Sequence, residues 1–462
     1  MKEINANELQ KLINDEIKIS HTKINLVTDV EIVNCFSENI TFTNCIFSGD
    51  YMLFFTQKDK DKGRKSLSFH SCKFYIEGIN FTSCNFNMIL LNGAVLSGDF
   101  TITNVDVNSL IFKNLRAEYL EINNSTINTR FILDKNTNIG HVNINGTNFK
   151  GSVEISNSVF REINIEGAAC FKKFSFNNNV INDYFSLVSN TFQLTNFDSN
   201  TFKSDGDHNC LSVLKNTFHD TASFVNIQAS ESDLLLKDCT FNQFTRFNLS
   251  NFKLLKVEQV NFNSISSFQD VVLERIYIER TNFEKSSFFD DISISKIALC
   301  NKRTLKSIKH ELLRTNNKID FDIFKSYELN SHRKELLKNG QFWYNNKDAF
   351  ILFVGNLFSE NGMNWIRALF VTIIGSLIFY TLFYTVYYWW DINDGVISGI
   401  EINKANEFFN GFTTFLIPTN IYNPLITKVY VKGFSWVPFI VGKIFLSVGL
   451  YEIIKSFRKF KS

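Results

Sequence analysis

A bulky apolar side chain recurs every five or six residues along the first two-thirds of this 462-residue chain. One run reads Ile144, Phe149, Ile155, Phe160, Ile165, Phe171, Phe176, Ile181, Leu187, Phe192, Phe197 and Phe202. A second reads Leu236, Phe241, Phe247, Phe252, Val257, Phe262, Phe268, Leu273, Ile278, Phe283, Phe288 and Ile294. Helices repeat every 3.6 residues and strands every two, so this period belongs to neither. A fixed step held over such a length marks stacked repeats, each burying its apolar face only against its neighbours.

The position two before many of these residues is small, as at Cys45, Cys72, Cys84, Thr147, Ser158, Ala169, Cys239, Ser250, Ser266, Thr281 and Ser286, and the position between is often Asn, as at Asn85, Asn148, Asn261 and Asn282. Residues two apart on an extended segment share a face, so a narrow coil pairs each large group with a small one. In this the chain resembles the pentapeptide-repeat family. The resemblance implies a mainly β fold: a right-handed quadrilateral β-helix, four pentapeptides to a square coil, with the bulky and small residues pointing inward. Phe149, Phe160, Phe171, Phe192, Phe202, Phe241, Phe252, Phe262 and Phe283 are then repeat core. The six-residue steps depart from the family's pattern and imply bulges or widened corners. The region from Leu26 to Leu299 should make about thirteen coils, a rod of about 60 Å at strand spacing.

The expected organisation is an N-terminal cap helix over 1–20, the β-helix over 21–300, an amphipathic helical cap and linker over 301–348, and a membrane domain over 349–462. Two interruptions, 58–65 and 203–210, read as loops. The apolar stretch 348–358 is too short to span a bilayer and is either an interfacial helix or a buried structural one. Spans are expected at about 366–390 and 434–454, with a re-entrant or extracytoplasmic segment over 391–433. Residues 368–390 carry no charge. Trp365, Trp389, Trp390 and Trp436 stand where membrane-interface aromatics belong. Lys443 lies within the second run and is costly there unless it faces protein or water. Lys and Arg gather before the first span and after the second, which by the positive-inside bias puts both termini in the cytoplasm and the chain, as a multi-pass protein, in the inner membrane.

Net charge is +2, and the repeat region has a mild excess of acid. Nothing here favours a polyanion, so no nucleic-acid partner is expected. Some members of the family it resembles mimic DNA and shield topoisomerases, but that role needs a regularly acidic surface. Of eight cysteines, four (Cys45, Cys72, Cys84, Cys239) fall at the small inward position and act as small hydrophobes. Asp205, Asp207, His208, Cys210 and His219 cluster near the second interruption without zinc-site spacing. No nucleophile elbow, phosphate loop or paired acid/base motif appears. The expectation is a non-enzymatic protein with no metal or cofactor.

Between the spans, the apolar stretch 405–420 has helical length and ends near Pro418. Span, short helix, extended segment, span looks like the potassium-channel pore layout in order and length. The Thr-Val-Gly-Tyr-Gly filter, whose carbonyls select the ion, is missing. Thr413, Thr414, Asn420 and Lys443 are the candidate pore-lining residues; the plainer reading is a lipid-facing loop. The chain therefore reads as a membrane-anchored scaffold whose β-helix displays a surface to a protein partner. The alternative is a homo-oligomeric, ion-conducting or depolarising pore regulated by the β-helix.

Overall fold

A computed structural model describes residues 2–15, 18–33, 39–57, 64–203, 210–338, 347–392, 402–420, 422, 434 and 436–458. Most of the first interruption, and Asp205, Asp207 and His208 of the second, lie outside these residues. The chain forms two compact units, Met1–Thr315 and Asn316–Ser462.

The first unit is a parallel β-solenoid of about 13 turns. Gly78 pairs with Asp99 and Thr82 with Thr103, a rise of twenty-one residues per turn. Along many strands buried residues alternate with more exposed ones, as in Asp99–Thr103. Phe149, Phe160, Phe192, Phe241, Phe252 and Phe262 are buried, while Phe202 and Phe283 are partly so.

Phe171 corrects the expected core: it is 55% exposed. The inward residue of that coil is Cys170, which pairs with Phe149 on one side and Phe192 on the other. A register shift between Cys170 and Lys173 turns the phenyl ring outward. Near the end of the stack the expected phase is off by one residue in the other direction, where Phe289 and Ser287 are buried instead of Phe288 and Ser286.

In the C-terminal turns the inward rings form two columns. Phe218, Phe241, Phe262 and Phe283 stack face to face at 4.5, 5.1 and 5.3 Å. Phe224, Phe247, Phe268 and Phe289 stack at 4.9 Å throughout. Within each coil the two columns meet edge to face, as for Phe262 and Phe268 at 5.9 Å. Each aromatic pair adds about 0.5–1.5 kcal/mol beyond its burial.

The corners depend on a left-handed residue directly before each inward corner residue, small or not. Asn44, Asn104, Asn114, Asn124, Asn157 and Asn178 have φ of 54°, 55°, 49°, 47°, 50° and 56°. Asn tolerates this region far better than bulky residues do. Gly146 and Gly167 serve the same place before Thr147 and Ala168. The small residues then form ladders from coil to coil. Cys45 O accepts from Lys73 N, Cys72 O from Val95 N and Ala94 O from Arg116 N, at 2.9–3.0 Å. Several corner side chains also donate inward: Thr147 Oγ1 to Ile122 O, Cys239 Sγ to Val213 O, Ser250 Oγ to Phe224 O.

Both ends are closed. Lys2–Ile4 is a strand paired with Thr22–Ile24, and helix α1 (Ala6–Asp15) follows it. Asn5 and Glu8 exchange reciprocal side-chain-to-backbone bonds at 3.0 Å, a capping box, and α1 buries Leu9 and Ile13. At the other end α2 (Lys302–Arg314) buries Leu305, Ile308 and Leu312. Its polar groups bond to the last coils: Glu311 Oε2 accepts from Ser287 N at 3.0 Å, and Arg314 donates to the carbonyls of Phe283 and Glu284.

The second unit is helical: α3 (Lys318–Lys338), α4 (Lys347–Ser359), α5 (Trp365–Ile392), α6 (Ile402–Leu416) and α7 (Trp436–Arg458). Asn364 starts α5 by accepting from Arg367 N at 2.9 Å.

Candidate functional site

The long helices α5 and α7 pack against one another. Three glycines let them approach: a Cβ on Gly375 would strike the Phe445 ring, one on Gly442 would strike Phe379 and Phe415, and one on Gly449 would strike Thr372. Thr372, Ser376, Tyr380 and Phe383 turn inward on α5 at helical spacing, whereas Ile366, Phe370, Ile373, Ile374 and Ile378 are exposed. On α7, Val437, Ile440, Val441, Ile444 and Ile454 are exposed likewise. Trp365–Val386 and Trp436–Phe457 are each long and apolar enough to cross a membrane.

Helix α6 completes this arrangement. Tyr380, Phe383, Phe415 and Phe439 form a buried aromatic cluster, flanked by Tyr384, Phe408, Phe412 and Trp436. Lys443 stands beside it. Its Nζ donates to Phe415 O and Ile417 O, both at 2.7 Å. It also lies 4.9 Å from the Phe415 ring centre and 5.6 Å from that of Phe439. The cation thus caps the carbonyl end of α6, where the helix dipole is negative, and two ring faces add to the attraction.

A second polar point joins the turn between α4 and α5 to α7. Glu452 is buried, accepts a hydrogen bond from Ser359 Oγ, and pairs with Lys455 at 3.1 Å. Ser359 Oγ in turn accepts from Gly362 N at 2.7 Å, and Ser359 O accepts from Gly362, Met363 and Asn364. In the sequence this hub shows only as Glu452, one of two charges in the second apolar run, set one turn before Lys455.

Thr413 and Thr414 return their hydroxyls to Asn410 O within α6, and Asn420 Oδ1 accepts from Tyr422 N. Lys443 bonds to carbonyls rather than to those threonines. Trp365 stacks on Phe457 at 5.1 Å, and Trp436 sets its edge on Phe439 at 5.2 Å. Trp389 and Trp390 belong to the last turns of α5, with side chains outside the described residues.

In the solenoid, burial pushes the Cys84 thiol up to about 12 and those of Cys170 and Cys239 up to about 11. No group of three or more His, Cys, Asp or Glu is placed to hold a metal among the described residues. What the sequence missed here is a set of buried asparagines, Asn179, Asn190, Asn200 and Asn216. Each occupies a corner. Asn200 Oδ1 accepts from Asn179 N, and Asn216 Oδ1 from Asn190 N; their amide groups donate to Phe176 O and Leu187 O. Comparison with known proteins finds no matching family model, curated protein or solved structure.

Proposed function

We propose that this chain is a non-enzymatic, membrane-anchored repeat protein. The solenoid offers a rigid, regular surface to a protein partner, and the second unit holds it at the bilayer. One observation carries the reading. The apolar windows of α5 and α7 are only 22% and 28% buried, whereas an apolar core helix of a soluble protein is mostly covered. Two uncovered faces of Ile, Leu, Val and Phe need a nonpolar surrounding, and hydrocarbon supplies it.

The basic residues flanking the helices, Arg367 before most of α5 and Lys455 and Arg458 after most of α7, favour cytoplasmic termini and an inner-membrane location. Solenoid stacks gain length without changing cross-section, which suits display of a partner surface more than catalysis.

Removing residues 316–462 should move the protein from the carbonate-washed membrane pellet to the supernatant. Pelleting of the truncated chain with membranes would overturn the reading.

A further inference from the structure

Between α3 and α4 lies a cavity of about 320 Å³, lined by Arg333, Leu337, Ala349 and Phe353. Each helix contributes two residues one turn apart, so each presents a single stripe to the space. Among the described residues the lining is apolar except for Arg333, whose Nε is buried with no hydrogen-bond partner. A buried guanidinium nitrogen without an acceptor is unfavourable, and no ion pair to Arg333 occurs among the described residues. The cavity therefore combines a half-buried guanidinium, its Nε without an acceptor, with a greasy wall. Beside it, Phe350 and Ile351 of α4 are 48% and 65% exposed. An exposed apolar flank with basic neighbours suits the boundary between headgroups and acyl chains.

We propose that this cavity binds one anionic phospholipid. Its phosphate accepts hydrogen bonds from the Arg333 guanidinium, and the first methylenes of one acyl chain lie against Leu337, Ala349 and Phe353. The volume suits part of one chain and no more. The guanidinium fork matches phosphate oxygens in a way a zwitterionic headgroup, carrying its own ammonium, satisfies less well. This rests on the membrane reading above.

The test titrates the full chain in neutral detergent with dioctanoyl-phosphatidylglycerol and dioctanoyl-phosphatidylcholine, following the heat. One phosphatidylglycerol per chain should bind at least tenfold tighter than phosphatidylcholine. R333Q should abolish that preference and R333K should keep part of it. L337W, which fills the cavity but leaves the cation, should weaken the binding of both lipids. Circular dichroism checks the fold of each variant; were R333Q to lose helix, L337W alone decides. Equal affinity for the two lipids, unchanged binding by L337W, or full displacement of the lipid by millimolar inorganic phosphate would each overturn the site. Flotation with pure phosphatidylcholine vesicles separates the two claims. A chain that floats without lipid preference loses the pocket only, and one that does not float loses the membrane reading as well.

Discussion

Thr304 Oγ1 accepts the Ile278 N–H at 2.9 Å and donates to Ile278 O at 3.3 Å. One turn earlier Thr281 Oγ1 donates to Val257 O at the same 3.3 Å, and Val257 and Ile278 are partners in the ladder. Helix α2 thus places a threonine where the next coil would have put its corner residue. The helix imitates one more turn while ending the stack.

Replacing Thr304 with Val should keep the volume and orphan a buried N–H. The expected destabilisation of the solenoid is about 1–3 kcal/mol, read as a lower thermal midpoint by far-ultraviolet circular dichroism. Thr304→Ser should cost much less, because the hydroxyl is retained.

The register slip at Cys170 makes two neighbouring phenylalanines behave oppositely. Phe171→Ser should change stability by about 0.5 kcal/mol or less, as for an exposed site. Phe192→Ala, on the inward column, should cost about 3–5 kcal/mol. Comparable losses in a denaturant titration would mean the chain is threaded one residue away from the arrangement described.

Asn216→Ala removes an acceptor from the buried Asn190 N–H and a donor from Leu187 O. The loss should be about 2–4 kcal/mol, from two buried groups left without partners. Asn216→Leu should be no better, since hydrophobicity cannot replace either bond. Amide exchange would report faster opening at residue 190.

Lys443→Met should free the carbonyl end of α6. Proteolysis within 402–417 should quicken in detergent, with Lys443→Arg restoring part of the protection. Thr413→Ala and Thr414→Ala should leave protection unchanged, because those hydroxyls bond only to their own helix.

The buried thiols supply a pH test. Cys84, Cys170 and Cys239 titrate above the ordinary value of 9.0. A raised folded-state pKa means the stability tied to the neutral thiol is fully present below about 9 and lost as pH rises through about 11–12. At pH 8 these three should resist alkylation in the native protein, with mass spectrometry locating the modified sites. Labelling of Cys239 at the rate of a free thiol would contradict the burial.

The five-residue step was readable because it follows from steric exclusion in a narrow coil, and phenylalanine makes it conspicuous. Its phase was less so. Cys170 and Phe171 are both apolar, as are Phe288 and Phe289, so hydropathy alone cannot tell which of two neighbours turns in. The asparagines between the small and bulky residues are conspicuous in the sequence, but the corner is set by the residue before the small one, where Asn44 or Asn157 adopts positive φ. The ladder of Asn179, Asn190, Asn200 and Asn216 was hidden because a polar residue inside a core leaves no periodic trace. In the helical unit the two long apolar stretches stood out by length and composition. The role of Lys443 did not, since its carbonyl partners lie 26 and 28 residues away.

The paired phenylalanine columns carry a mechanical implication. Every ring gains its cohesion from the ring above, the ring below and one companion at its side, so attraction is shared only between adjacent layers, like coins in a roll. Such a stack has no central keystone. Pulled along its axis, it should peel layer by layer from whichever lid fails first, giving a sawtooth of similar small steps and not one large rupture.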